Sequence, residues 1–201
     1  IAAYKLALQF YTKDSNFQMW GDIQINLSIA YGTRIKGKQS ENMETSIVYS
    51  QQALTVLNQT DSPEKWAMVQ NNLGQAYNHR IQGDKSQNQE MAIAFYQASL
   101  AVSTRKTFPQ KWAGIQNNLG LLYFLRLQGE RDENQKQAIA YFESALEVYT
   151  PNAYPEKWAY TQLGLGIAYY DLIKGERAEN LERAIGCYEA ALEVYTRSAY
   201  P

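Results

Sequence analysis

The sequence predicts an all-α fold, a solenoid of stacked helix–turn–helix pairs, and three observations carry that prediction. The first is a repeat. Trp20, Trp66, Trp112 and Trp158 recur at a constant step of 46 residues, and Leu27, Leu73, Leu119 and Leu165 keep the same step. So do Tyr31, Tyr77, Tyr123 and Tyr169, the glycines 37, 83, 129 and 175, and the asparagines 42, 88, 134 and 180. A fixed period of this length signals stacked units rather than one closed core. The second is periodicity inside a unit: Trp66, Val69, Leu73, Tyr77 and Ile81 follow three- and four-residue steps, the mark of an amphipathic helix. The third is punctuation. Pro63, Pro109 and Pro155 stand where a first helical residue suits proline, and the periodic glycines suit helix ends.

Taken in order, residues 1–19 read as the second helix of a repeat whose first half is missing, plus a linker. Tyr4, Ala7 and Leu8 are in register with Tyr188, Ala191 and Leu192. Four units follow as a single array: 20–65, 66–111, 112–157 and 158–201. In the unit that begins at Trp66, Ser62 is placed to cap the first helix and Gly83 to end it. Asn88 is placed to cap the second. In the last unit Leu181, Ala184, Ile185, Tyr188, Ala191, Leu192 and Tyr195 share one face of the second helix. Each helix is expected to run about 16–19 residues, roughly 24–29 Å. Pro201 keeps the register of Pro63, Pro109 and Pro155, so the chain ends at a repeat boundary. With Ile1 in place of an initiator methionine, this leads us to expect a fragment of a longer array, or ends that pair with something.

The recurring residues have packing reasons. Gly74, Gly120 and Gly166 sit mid-helix, where glycine costs about 1 kcal/mol relative to alanine. Close approach by another helix explains the repetition, with Ala92, Ala138, Ala184, Ala53, Ala145 and Ala191 as its small partners. The first unit departs from the pattern, with Ser28 for the glycine and Ser46 for the alanine. Arg34, Arg80 and Arg126 fall near first-helix C-termini, where they favour the helix dipole. An anion site built from them is the less expected role. The Gly129-Glu130-Arg131 and Gly175-Glu176-Arg177 loops lack the ending of a phosphate loop and read as solvated turns.

Composition excludes several classes. Apolar residues make up 45% of the chain, which argues for a folded protein. The 19 basic and 20 acidic residues give a net charge of −1. That leaves no basic stripe for nucleic acid and no polybasic surface for a membrane. No apolar run approaches the roughly 20 residues that span a bilayer, and no signal peptide is visible. One cysteine, Cys187, cannot form an internal disulfide, which fits a cytoplasmic location. Cys187 and the single histidine, His79, cannot build a Cys/His metal site. As a catalytic dyad they would have to meet from more than two units apart. We expect no catalysis, no cofactor and no metal.

Leu73-Gly74-x-x-Tyr77 followed by Ala92-x-x-x-Tyr96 resembles the tetratricopeptide repeat (TPR) pattern. Leu119-Gly120-x-x-Tyr123 with Ala138-x-x-x-Phe142, and Leu165-Gly166-x-x-Tyr169 with Ala184-x-x-x-Tyr188, repeat the likeness. It covers the whole chain, counting the half unit at the start. It departs in period, 46 residues against the family's 34, and in a tryptophan one helical turn earlier. The long units also resemble arrays in large bacterial signalling proteins, some of which precede a caspase-like CHAT domain. The resemblance implies a right-handed α-solenoid that binds a peptide or protein segment on a concave face lined by first helices.

Carried over position by position, that face offers Asp22, Ile25, Ile29, Gly32 and Thr33; Met68, Asn71, Gln75, Asn78 and His79; Gly114, Asn117, Leu121, Phe124 and Leu125; and Tyr160, Leu163, Ile167, Tyr170 and Asp171. Leu121, Phe124 and Leu125, beside Leu163, Ile167 and Tyr170, form an apolar patch of the kind that marks a binding site. Asn71, Gln75, Asn78 and Asn117 are placed to bond a ligand backbone. The competing expectation, held at equal weight, is that these residues are inter-repeat core. The expected function is a non-catalytic protein-interaction module. The alternative is a structural spacer or regulatory arm holding a neighbouring effector domain. The expected partner is a protein or peptide, with another part of the parent chain or a second copy joined through uncapped ends as further candidates.

Overall fold

The computed structural model describes residues 1–195. Among them are nine helices and no strand: α1 (Ala2–Ala7), α2 (Phe17–Gly32), α3 (Gln39–Leu54), α4 (Pro63–Asn78), α5 (Lys85–Leu100), α6 (Pro109–Phe124), α7 (Arg131–Leu146), α8 (Pro155–Asp171) and α9 (Arg177–Val194). The strongest packing joins consecutive helices: α2 with α3, α4 with α5, α6 with α7, and α8 with α9. This is the predicted α-solenoid class of helix pairs. The chain divides into two compact units, residues 1–103 and 104–201.

In the first unit, Ile25, Met43, Ile47, Leu57, Val69 and Leu73 join α2, α3 and α4 in one buried cluster. Ile23, Leu27 and Tyr31 gather Ile1, Ala7 and Leu8 around the start of the chain. In the second unit, Ala138, Ile139, Phe142, Leu165, Ala168, Tyr169 and Ala184 form the core of α7, α8 and α9. A smaller cluster holds Ala113, Ala145 and Tyr149 with Trp112 and Trp158.

The mid-helix glycines are explained by rings. A Cβ on Gly74 would lie 2.8 Å from the Tyr96 ring, one on Gly120 2.8 Å from Phe142, and one on Gly166 2.7 Å from Tyr188. Phe142 also lies against Gly164, where a Cβ would come within 2.8 Å. That ring is wedged between α6 and α8. The first pair has no such ring. Position 50, in register with Tyr96, Phe142 and Tyr188, is serine. The Ser50 and Ser28 hydroxyls share a 2.5 Å hydrogen bond, and the Ser46 hydroxyl donates to the Ser28 carbonyl at 2.8 Å.

The asparagines clamp the loop inside each pair. Asn42, Asn88, Asn134 and Asn180 donate to the carbonyls of Lys36, Gln82, Gln128 and Lys174 at 3.1, 2.8, 2.7 and 2.9 Å. In three pairs an arginine completes the clamp, with its guanidinium over a tyrosine and one N–H on the asparagine. Arg34 covers Tyr31, Arg80 covers Tyr77 and Arg126 covers Tyr123, at 5.6, 5.4 and 5.1 Å from the ring centres. The fourth pair has Leu172 there, and Arg183 from α9 covers Tyr169 instead, at 5.4 Å. The arginine positions therefore serve the fold.

Several expectations need correction. Asn88 is not an N-cap: it is the fourth residue of α5, whose cap is Asp84, accepting from Gln87 N–H at 2.8 Å. Gly83 does not end α4, which stops at Asn78. Gly83 turns the loop instead, with φ +82°, as Gly37, Gly129 and Gly175 do at +93°, +80° and +91°. Ile81 lies beyond the helix and is exposed. Pro63 is the first residue of α4, but the Ser62 hydroxyl donates to the Asn58 carbonyl rather than capping. The first helix, α1, has six residues, well short of 16. The register of Pro201 lies outside the described residues.

Candidate functional site

The candidate site rests on how one first helix meets the next. In the first unit Asp22 of α2 pairs with Lys65 of α4 at 2.6 Å, and Ile25 is buried with Val69 and Leu73. In the second unit Asn117 of α6 accepts a hydrogen bond from Thr161 of α8 at 3.0 Å. Leu121 and Phe124 are half-buried against the cluster of Phe142, Leu165 and Ala168. These residues hold equivalent positions: 22, 25, 29 and 32 on α2 correspond to 114, 117, 121 and 124 on α6. On α2, Asp22 and Ile25 face the following first helix, while Ile29 and Gly32 are exposed.

The residues of the expected groove fall in different surroundings. Asn117 is buried, and its side-chain oxygen accepts from Thr161. Leu121 and Phe124 are partly buried against the cluster shared by α7, α8 and α9. Leu125 caps α6 and is exposed. In the first unit Gln75 is exposed, while Asn71 and Asn78 are half-buried.

On α8 the same stripe is Tyr160, Leu163, Ile167 and Tyr170, and all four are open, with 53, 36, 43 and 51% exposure. The 3–4–3 spacing puts them on one face of the helix. Arg177 lies over the Tyr170 ring, 5.1 Å from its centre, and donates to the Tyr170 carbonyl. Beside Tyr160 lies a cavity of about 400 Å³ between α6 and α8, floored by Gly114, Asn117 and Thr161. The equivalent α6 residues Leu121 and Phe124 are half-buried against α7 and α8, whereas the α8 residues are exposed.

Cys187 is half-buried on α9, and burial, then Glu143, push its thiol up, away from the thiolate. It holds the position where Tyr49, Phe95 and Tyr141 stack on the first-helix tyrosines of the other pairs. His79 is exposed, and its Nδ1–H donates to the Gln75 carbonyl at 2.8 Å. Among the described residues no three His, Cys, Asp or Glu side chains converge to hold a metal. Among those residues, too, no helix is long and apolar enough to cross a membrane.

No family model matches the chain, and no curated protein matches it. Among solved structures it is similar to BtubC (BKLC) from P. vanneervenii, with a TM-score of 0.66 and 20% identity. The match covers 90% of this chain and 65% of that one, so the chain spans just under two thirds of its length. At this identity the likeness shows the fold alone: a stack of paired helices.

Proposed function

We propose that the chain is a non-catalytic protein-interaction module of the TPR type, and that it receives an amphipathic helical segment on the open stripe of α8. The observation that carries this is the exposure of Tyr160, Leu163, Ile167 and Tyr170 on one helix face. An apolar patch on a rigid helix pair is the ordinary footprint of a partner. The partner's chemistry follows from the equivalent α6 stripe, which accepts a helix that combines apolar contacts with a hydroxyl. The raised thiol of Cys187 and its aromatic-equivalent place support a packing role over a nucleophilic one.

A second reading is favoured by the same register: a spacer or regulatory arm, in which the stripe is covered by a further helix pair of a longer parent. One experiment separates the two. The chain and its Leu163→Glu/Ile167→Glu variant serve as paired baits in a lysate, with circular dichroism as the folding control. Both side chains are exposed, so the variant is expected to keep its helicity and melting temperature. A protein held by the first bait and lost by the folded second supports the interaction module. Nothing specific on either bait favours the spacer.

A further inference from the structure

The loop inside each helix pair carries one aliphatic side chain that the fold does not bury. Ile35, Ile81, Leu127 and Ile173 recur at the 46-residue step and are 100, 70, 61 and 66% exposed. Their neighbours drift from copy to copy. The next residue is Lys, Gln, Gln and Lys in turn, and the third residue on is Lys, Asp, Glu and Glu. A single exposed apolar residue is ordinary on a protein surface. One that stays aliphatic in four copies, unpacked, while the positions around it change, points to a use outside its own pair.

The turns that present these side chains are held. The asparagine clamp and the positive-φ glycine fix each of them. In the second unit Gln135 donates to the Asp171 carbonyl at 2.7 Å and accepts from the Ile173 N–H at 3.4 Å, and Lys174 pairs with Asp132 at 2.9 Å. These bonds tie the loop of Ile173 to the start of α7, where the loop of Leu127 ends. In the first unit Arg80 pairs with Glu44 of α3 at 2.7 Å. A surface fixed in advance loses little freedom on binding.

Charge identifies what meets these edges. From the cap of the first helix to the third residue of the second, the first unit's loops (33–41 and 79–87) hold five basic and two acidic residues. The matching stretches of the second unit, 125–133 and 171–179, hold four basic and six acidic residues. Among the described residues Lys36, Lys85, Glu130 and Glu176 are exposed and make no ion pair. Each edge thus has two open aliphatic side chains and two open charges, of opposite sign on the two units. The chain carries the complement of its own surface. We infer that it self-associates through these edges: Ile35 and Ile81 of one copy pack on Leu127 and Ile173 of a second, and Lys36 and Lys85 of the one face Glu130 and Glu176 of the other. The inference does not rest on the α8 reading, since different residues form the two surfaces.

The test is sedimentation of the 201-residue chain over a wide concentration range at low salt, with circular dichroism as the folding control. Concentration-dependent association is expected, weakened at least tenfold at high salt. Ile35→Ser/Ile81→Ser, at exposed positions, is expected to weaken it at least tenfold. Lys36→Glu/Lys85→Glu makes both edges acidic, and Glu130→Lys/Glu176→Lys makes both basic. The second swap is tolerable because Lys38 already holds the register of Glu130. Each variant alone is expected to stay monomeric, and an equimolar mixture of the two to associate about as well as the unaltered chain. The proposal is overturned by a monomer at every concentration, by a mixture that associates no better than its components, or by association unchanged in Ile35→Ser/Ile81→Ser. Association lost in Leu163→Glu/Ile167→Glu but kept in the loop variants also overturns it, by placing the contact on α8.

Discussion

A single methyl group should act oppositely at two glycines of this chain. On Gly120 a Cβ would sit 2.8 Å from the Phe142 ring, closer than real Cβ contacts allow, and Phe142 is buried with no room to retreat. Gly120→Ala is expected to destabilise by about 1–3 kcal/mol, the usual cost of overpacking. Gly186 lies within α9, and a Cβ there meets nothing within 4 Å. Gly186→Ala should stabilise by roughly 0.5–1 kcal/mol, by removing backbone freedom from the unfolded chain. Thermal melting of both variants checks the pair; equal effects would sink the ring-on-glycine account. The sequence showed that the mid-helix glycines mark close approach. It did not show the partner, which is the ring four residues beyond the recurrent alanine. The signal was there: Ser28, Ser46 and Ser50 change together in one unit.

At the scale of one pair, helix existence and length were legible and loop mechanics were not. Eight helices of 16–18 residues match the apolar period. The asparagines misled because Asn just after a turn is a common cap. Four residues into a helix, Asn88 instead reaches back to the Gln82 carbonyl, while Asp84 caps. Periodicity cannot distinguish these positions, since both recur at the same step. The clamp gives a direct test. Asn134 is buried, donates to the Gln128 carbonyl at 2.7 Å and accepts from Arg126. Asn134→Ala leaves that carbonyl without this donor and is expected to cost about 1–3 kcal/mol. Calorimetry of the variant reads it; a change below a few tenths would mean the loop is held by the glycine turn alone.

At the scale of the chain, the residues of the expected groove fall in different surroundings for a physical reason. Residues off the buried stripe of an isolated helix look like surface. In stacked pairs part of that surface meets the next first helix, as Asn117 meets Thr161. Sequence period alone places Leu121 and Ile167 identically, yet the first is half-buried and the second exposed. Phe142 has a consequence of another kind. By touching both Gly120 and Gly164 it ties one pair to the next, whereas the serines of the first pair span no such seam. In a nearest-neighbour description of a repeat stack, cooperativity lives in those seams. The seam between α2 and α4 then carries the weaker coupling, and α2 with α3 can open while the rest stays closed. Native-state hydrogen exchange is expected to show α2 and α3 amides exchanging at lower opening free energy than those of α7. Uniform protection would mean that the serine-bonded seam transmits as well as the ring, and that melting is all-or-none.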